Sequence, residues 1–71
     1  MSDRIVSDPE ICGGEPTVQG TRIPARIVLS HLAAGDDASK ILESFPSLTA
    51  KDIQACLEYA AELAGEVVSP G

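Results

Sequence analysis

From Pro24 onward, apolar residues recur every three or four positions, the period of an α-helix. The pattern predicts three helices within residues 24–68, over about 24–34, 36–45 and 49–67. Their ends carry local signals for helix starts and stops. These signals are Pro24 and Gly35 for the first helix, Asp36 or Asp37 and Pro46 for the second, and Thr49 with Asp52 for the third.

Each predicted helix has one apolar side that should face a shared core. On the first helix this side holds Ile27, Val28, Leu29 and Leu32, and on the second Ile41, Leu42 and Phe45. On the third helix it holds Ile53, Leu57, Ala60, Ala64 and Val67, widened by Cys56 and Leu63.

Residues 4–23 have no helical period and are rich in glycine and proline. Short β-favouring runs at 4–7 and 17–19 predict two strands, with turns between and after them. Residues 21–23 fit either a returning hairpin arm or the entry to the first helix. The predicted fold is therefore mainly α, a three-helix bundle with a short amino-terminal β-hairpin or strand segment. It forms one domain, 1–71, with a frayed tail at 69–71.

The four-residue link 45–48 between the second and third helices is the outline of a helix-turn-helix unit. The same outline fits any small helical bundle, so both interpretations stay open.

Composition limits how stable such a bundle can be. The chain has 71 residues and is 44% hydrophobic, with one Phe, one Tyr and no Trp, so its core is built mainly of small aliphatic side chains. Domains of this size usually need a disulfide, a metal or a second subunit. Cys12 and Cys56 are expected to be free thiols, with a bridge left open. The single histidine, His31, is expected to be a partly exposed helix residue, and no ligand spacing predicts a metal. A homodimer is the remaining expectation.

The charge is negative and unevenly placed. The net charge is -6; residues 1–35 carry three arginines and four carboxylates, and residues 36–71 two lysines and seven carboxylates. Long-range attraction to nucleic acid or to an anionic membrane is thereby excluded, and any such contact needs a local basic patch. No membrane span or secretory leader is predicted, so a soluble cytoplasmic protein is expected.

Catalysis and cofactor binding find no support in the residues. The glycine-rich run 13–22 lacks the Lys-Ser/Thr of a phosphate loop, and Glu15 within it would repel a phosphate. Cys12 and His31 are the one nucleophile–base pair available, and nothing places them together. We therefore expect no enzyme activity and no cofactor.

Several segments resemble the bacterial domain-of-unknown-function family 433 (DUF433). They are residues 8–16, 20–24, 41–49 and 52–60, and the most specific are Gly-Gly-Glu-Pro at 13–16 and Gly-Thr-Arg-Ile-Pro at 20–24. The resemblance covers about residues 5–68. It implies a homeodomain-like helix-turn-helix fold, similarity to VapB-type antitoxins, and a neighbouring gene for a nuclease-type, PIN-like toxin. It implies no catalytic residues.

Two sets of charged and polar residues are candidate contacts. DNA would be contacted through phosphate-binding arginines and the start of the third helix, namely Arg22, Arg26, Thr49, Lys51 and Gln54. A basic protein partner would meet the carboxylates of the third helix, namely Glu58, Glu62 and Glu66. The alternatives are salt bridges of the arginines to Asp8, Glu10 or Glu15, and a merely solvated acidic helix face.

Three functions remain open. The first is an antitoxin that binds a PIN-like toxin, with operator DNA as a further ligand for autoregulation. The second is a helix-turn-helix DNA-binding regulator without a toxin partner. The third is a structural interaction dimer.

Overall fold

The structure is a computed structural model that describes residues 4–67, with side chains described to residue 65. Two short strands and a single 3-10 turn precede three helices. The elements are β1 (Ile5–Val6), the 3-10 turn (Cys12–Gly14), β2 (Thr17–Val18), α1 (Ala25–Ala33), α2 (Ala38–Ser44) and α3 (Ala50–Val67). The mainly-α fold with a short strand pair is confirmed. The predicted tail at 69–71 lies outside the described residues.

The two strands form an antiparallel pair beside the helices. Ile5 is the partner of Val18, and Val6 that of Thr17. Residues 21–23 play both of the predicted roles, because the Val18 N–H donates to the Ile23 carbonyl at 3.0 Å and Pro24 then begins the helix entry. The strands thus sit directly on the start of α1.

Helix α1 ends in a Schellman motif. The Gly35 N–H donates to the Leu32 carbonyl at 3.1 Å, and the Asp36 N–H to the His31 carbonyl at 3.0 Å. Gly35 has a φ of 97°, which a residue with a Cβ adopts only with strain. Two residues later Asp37 begins α2, its side chain accepting from the Lys40 N–H at 2.9 Å. Both signals confirm the sequence prediction.

The start of α3 is held by a reciprocal capping box. The Thr49 N–H donates to the Asp52 carboxylate at 2.9 Å, and the Asp52 N–H donates to the Thr49 hydroxyl at 3.3 Å. The second carboxylate oxygen of Asp52 accepts from Arg4 at 3.0 Å. Asp52 is only 7% exposed, so this one carboxylate joins the residue before β1 to the first turn of α3.

The core lies between the strand pair and the three helices. Its buried apolar members are Ile5, Val18, Ala25, Val28, Ile41, Leu48, Ile53, Ala55 and Cys56. Half-buried apolar residues from the three helices and from the segments beside them surround this core, namely Ile23, Leu29, Leu32, Leu42, Phe45 and Tyr59. The predicted apolar side of α2 therefore faces the core. So do Val28, Leu29 and Leu32 of α1, whereas Ile27 is half-buried and is not among the residues that pack against the core.

The predicted core stripe of α3 is correct for Ile53 and Cys56 but wrong in its rotation towards Leu57, which is 43% exposed, whereas Asp52 and Ala55 are buried. Ala60 is half-buried, Leu63 and Ala64 lie in the exposed segment 61–65, and the side chain of Val67 is outside the described residues. Asp52 has to point inward to reach Arg4, and Ala55 follows it into the core. Since successive residues turn by about 100° around a helix, this orientation carries Leu57 outward.

Cys12 and Cys56 are free thiols, as expected. Burial, together with the negative charge of Asp52, raises the pKa of the Cys56 thiol to about 11. At neutral pH this thiol is therefore protonated as well as covered. No helix among the described residues is both long and apolar enough to cross a membrane.

Thiol chemistry should separate the two cysteines. We expect a thiol reagent near neutral pH to modify the half-buried Cys12 and to reach Cys56 only when the chain unfolds, because the thiolate is the reactive form. Mass spectrometry after brief labelling, with and without denaturant, measures this. Equal labelling of both thiols in the folded protein would contradict the expectation.

Replacing Asp52 by Asn should destabilise the protein in a pH-dependent way. Burial acts to raise the pKa of Asp52, but the hydrogen bonds from Thr49 and Arg4 outweigh it and lower the pKa below its ordinary value. A lowered pKa gives stability that is present above about pH 4 and lost as the pH falls through the folded-state pKa. Asp52→Asn should therefore lower the free energy of unfolding by about 1–2 kcal/mol at neutral pH and by much less in acid.

Urea denaturation followed by circular dichroism, at neutral pH and in acid, measures this difference. Glu43→Gln is the matched control, since Glu43 is an exposed carboxylate on α2. It should change the stability by no more than about 0.5 kcal/mol. If Asp52→Asn lowers the free energy of unfolding by the same amount at both pH values, the negative charge of Asp52 is not the source of the stabilisation.

Candidate partner-binding surfaces on the third helix

Helix α3 divides into two parts with different surroundings, and we call residues 57–67 its distal half. Its first half supplies the buried residues Ile53, Ala55 and Cys56, whereas residues 61–65 are all exposed. The molecule is elongated as a result, with principal extents of 40 × 30 × 18 Å. The distal half of α3 is therefore a helix with most of its surface available to another molecule.

The distal half carries the candidate carboxylates. Glu58 and Glu62 are exposed and lie one helical turn apart on the same face, which we call the acidic face. Glu66 occupies the next turn of the helix, and its side chain is outside the described part. A positively charged surface placed against this face would meet both carboxylates at once.

The start of α3 carries the candidate base-reading residues. Thr49, Lys51 and Gln54 are all exposed. The Thr49 hydroxyl is engaged in the helix cap through the Asp52 N–H. Lys51 and Gln54 lie three residues apart, and their side chains point into solvent on one face. The structure therefore brings Lys51 and Gln54 together as an exposed polar pair.

The two candidate phosphate-binding arginines differ in whether they form an ion pair. Arg26 forms an ion pair with Glu15, which is one of the salt bridges anticipated as the alternative. Arg22 is exposed, and within residues 4–67 it makes no ion pair; its carbonyl accepts from the Cys12 thiol at 3.3 Å. Of the two, Arg22 is the one available to an anion.

Sequence reasoning missed Arg4. Its partner Asp52 is 48 residues away, and the pairing depends on β1 lying beside the start of α3. A local clue was present only at one end, since the Thr49–Asp52 spacing predicted a cap but left the second carboxylate oxygen without an assigned donor.

His31 is a structural residue at the carboxyl end of α1. Its Nδ1 lies 2.8 Å from an Asp36 carboxylate oxygen, and its ring meets the Phe45 ring edge-on at a centroid distance of 5.3 Å. These contacts connect α1, the following turn and the end of α2. No group of three or more His, Cys, Asp or Glu side chains that could hold a metal occurs within residues 4–67.

Comparison with known proteins identifies the family of this chain. The family model for a protein of unknown function, DUF433, matches residues 5–60. The chain belongs to the DUF433 family. This match ends within α3, so Glu62 and the last turns of the helix lie beyond it.

Two similar proteins show how far the similarity extends. An uncharacterized protein, y4eO, from Sinorhizobium fredii is 43% identical over 56 residues, which cover 79% of this chain and 25% of the relative. A crystallised DUF433 member from Anabaena variabilis superposes with a TM-score of 0.81 at 27% identity, covering 93% of this chain and 65% of that one. This chain thus spans a quarter of the length of the first relative and 65% of the second.

Proposed function

We propose that this DUF433 protein is an antitoxin-like binding protein whose third helix docks on a nuclease-type, PIN-like partner. The observation that carries the proposal is the acidic face, where Glu58 and Glu62 stand exposed on α3. A nuclease must hold a polyanion, so its substrate channel is basic. A helix with carboxylates one turn apart can occupy such a channel by charge complementarity.

The balance of charge supports a basic protein partner over a nucleic acid. Residues 36–71 carry seven carboxylates against two lysines. Complementary charge accelerates association and selects the partner, whereas like charge suppresses binding to a polyanion.

Removing the two carboxylate charges should weaken this binding. We expect Glu58→Gln combined with Glu62→Gln to raise the Kd for the co-expressed product of the adjacent gene at least about tenfold, or about 1.4 kcal/mol. The effect should fall mainly on the association rate and shrink at high salt, because exposed charges act through a screened field. Biolayer interferometry at two salt concentrations measures both.

Glu43→Gln is the matched control, because it removes one exposed carboxylate from α2 and leaves α3 unchanged. It should bind like the unaltered protein. The antitoxin proposal fails if the adjacent gene product neither co-purifies with this protein nor loses toxicity in its presence. The acidic face fails as the contact if the double variant binds with unaltered affinity and salt dependence.

The second candidate is a DNA-binding regulator. The observation in its favour is that Lys51 and Gln54 are exposed at the start of α3, where a helix-turn-helix protein places its base contacts. Arg22 is also available for a phosphate. A glutamine can bond to adenine and a lysine to guanine or phosphate in the major groove. Asp52 does not oppose this, because it is buried and paired with Arg4.

A gel shift on the protein's own promoter region at low salt tests DNA binding. Lys51→Ala should weaken the complex and lower its salt dependence, and Gln54→Ala should reduce sequence preference. Lys40→Ala is the matched control, because it removes one exposed lysine from α2. A complex that does not respond to salt, or no complex for either the protein or its partner complex, would exclude this function.

A further inference from the structure

The distal half of α3 also carries an apolar face, distinct from the acidic face. Leu57 and Leu63 are the two large hydrophobic residues that remain most exposed among those described, at 43% and 42%, and the half-buried Ala60 lies between them. We call these three residues the apolar face. They follow one another at intervals of three, so they lie within about 60° of Ala60 on the same side of the helix.

The apolar face has the same pattern in both directions along the helix. Ala60 is its centre, and a leucine stands three residues before it and three after it. If a second α3 lies antiparallel across Ala60, Leu57 of each chain meets Leu63 of the other. A surface that is complementary to itself in this way fits a two-fold symmetric pair. The small Ala60 at the crossing point lets the two helices approach closely.

The charges of the chain are compatible with this contact. Glu58 and Glu62 project about 160° away from Ala60 around the helix, so the acidic faces of the two copies point outward. A chain with a net charge of -6 can therefore meet its copy through this side without bringing these carboxylates together. Antiparallel helices also place opposite ends of their dipoles side by side.

We infer that the apolar face of α3 is a dimer contact, occupied by the α3 of a second copy of this chain. The contact covers a part of the helix that the domain's own core leaves in water. Short amphipathic helices are marginally stable in water without packing. The pairing is separate from the proposed partner binding, because it does not cover the acidic face.

The size of the contact determines the protein concentrations at which the dimer should form. About three turns of helix from each copy bury less surface than a standard interface, so dissociation in the micromolar range or above is expected. Light scattering or sedimentation from about 1 µM to about 1 mM protein covers this range. A dimer mass at the upper end is expected. A monomer throughout would overturn the inference.

Replacing a leucine of the apolar face by a glutamate tests whether this face forms the dimer contact. Leu57→Glu and Leu63→Glu should each raise the dimer dissociation constant at least about tenfold, since a carboxylate would have to be buried against a leucine. Lys51→Gln is the matched control, because it also lowers the charge by one unit at an exposed position of α3, on the side of the helix opposite Ala60. A dimer that both leucine variants leave intact would show that another surface is used, and would overturn the inference.

Cross-linking keeps the test decisive if a leucine variant fails to fold. Ala60→Cys should form a symmetric disulfide between two copies under mild oxidation, because the antiparallel pairing brings the two positions together. Gln54→Cys, on the same helix, should not. Equal cross-linking of both variants, or of neither, would contradict the arrangement. The partner-binding assay on Leu63→Glu distinguishes the two proposals, since loss of the dimer alone leaves the acidic face intact.

Discussion

The carboxylate of Asp52 is the interaction on which the arrangement of the helices depends. It caps the first turn of α3 through the Thr49 N–H and, with its other oxygen, accepts from Arg4. The first contact is local and starts the helix. The second joins two parts of the chain that are 48 residues apart and fixes which side of α3 faces the strand pair. Helix initiation and tertiary docking therefore share one buried charge.

The rotation of α3 follows from that docking, and the surface of its distal half follows from the rotation. With Asp52 turned inward, Ile53 and Cys56 enter the core and Leu57 is carried out of it. The helix then continues beyond the domain, with leucines on one side and carboxylates on the other. These two faces are consequences of packing at the amino-terminal end of the same helix, and they can serve different partners because they point in nearly opposite directions.

The sequence allowed the helix boundaries to be predicted because their signals are local. Gly35, Asp37 and the Thr49–Asp52 pair act within a few residues, and each lies where capping chemistry expects it. The rotation of α3 could not be predicted in this way. A helical period shows that an apolar stripe exists, but several neighbouring stripes fit Ile53 and Cys56 equally well. The contact that selects among them comes from Arg4, at the other end of the domain.

The same pairing changes the interpretation of the chain's few cations. Of the three arginines in residues 1–35, Arg4 binds Asp52 and Arg26 binds Glu15, so two of them are engaged within the domain. The arginines of the amino-terminal part are thus largely used for internal structure. Glu58 and Glu62 on α3 are exposed. Because an exposed field selects partners of opposite charge, this distribution supports the proposal of a basic protein, rather than a nucleic acid, as the partner of the acidic face.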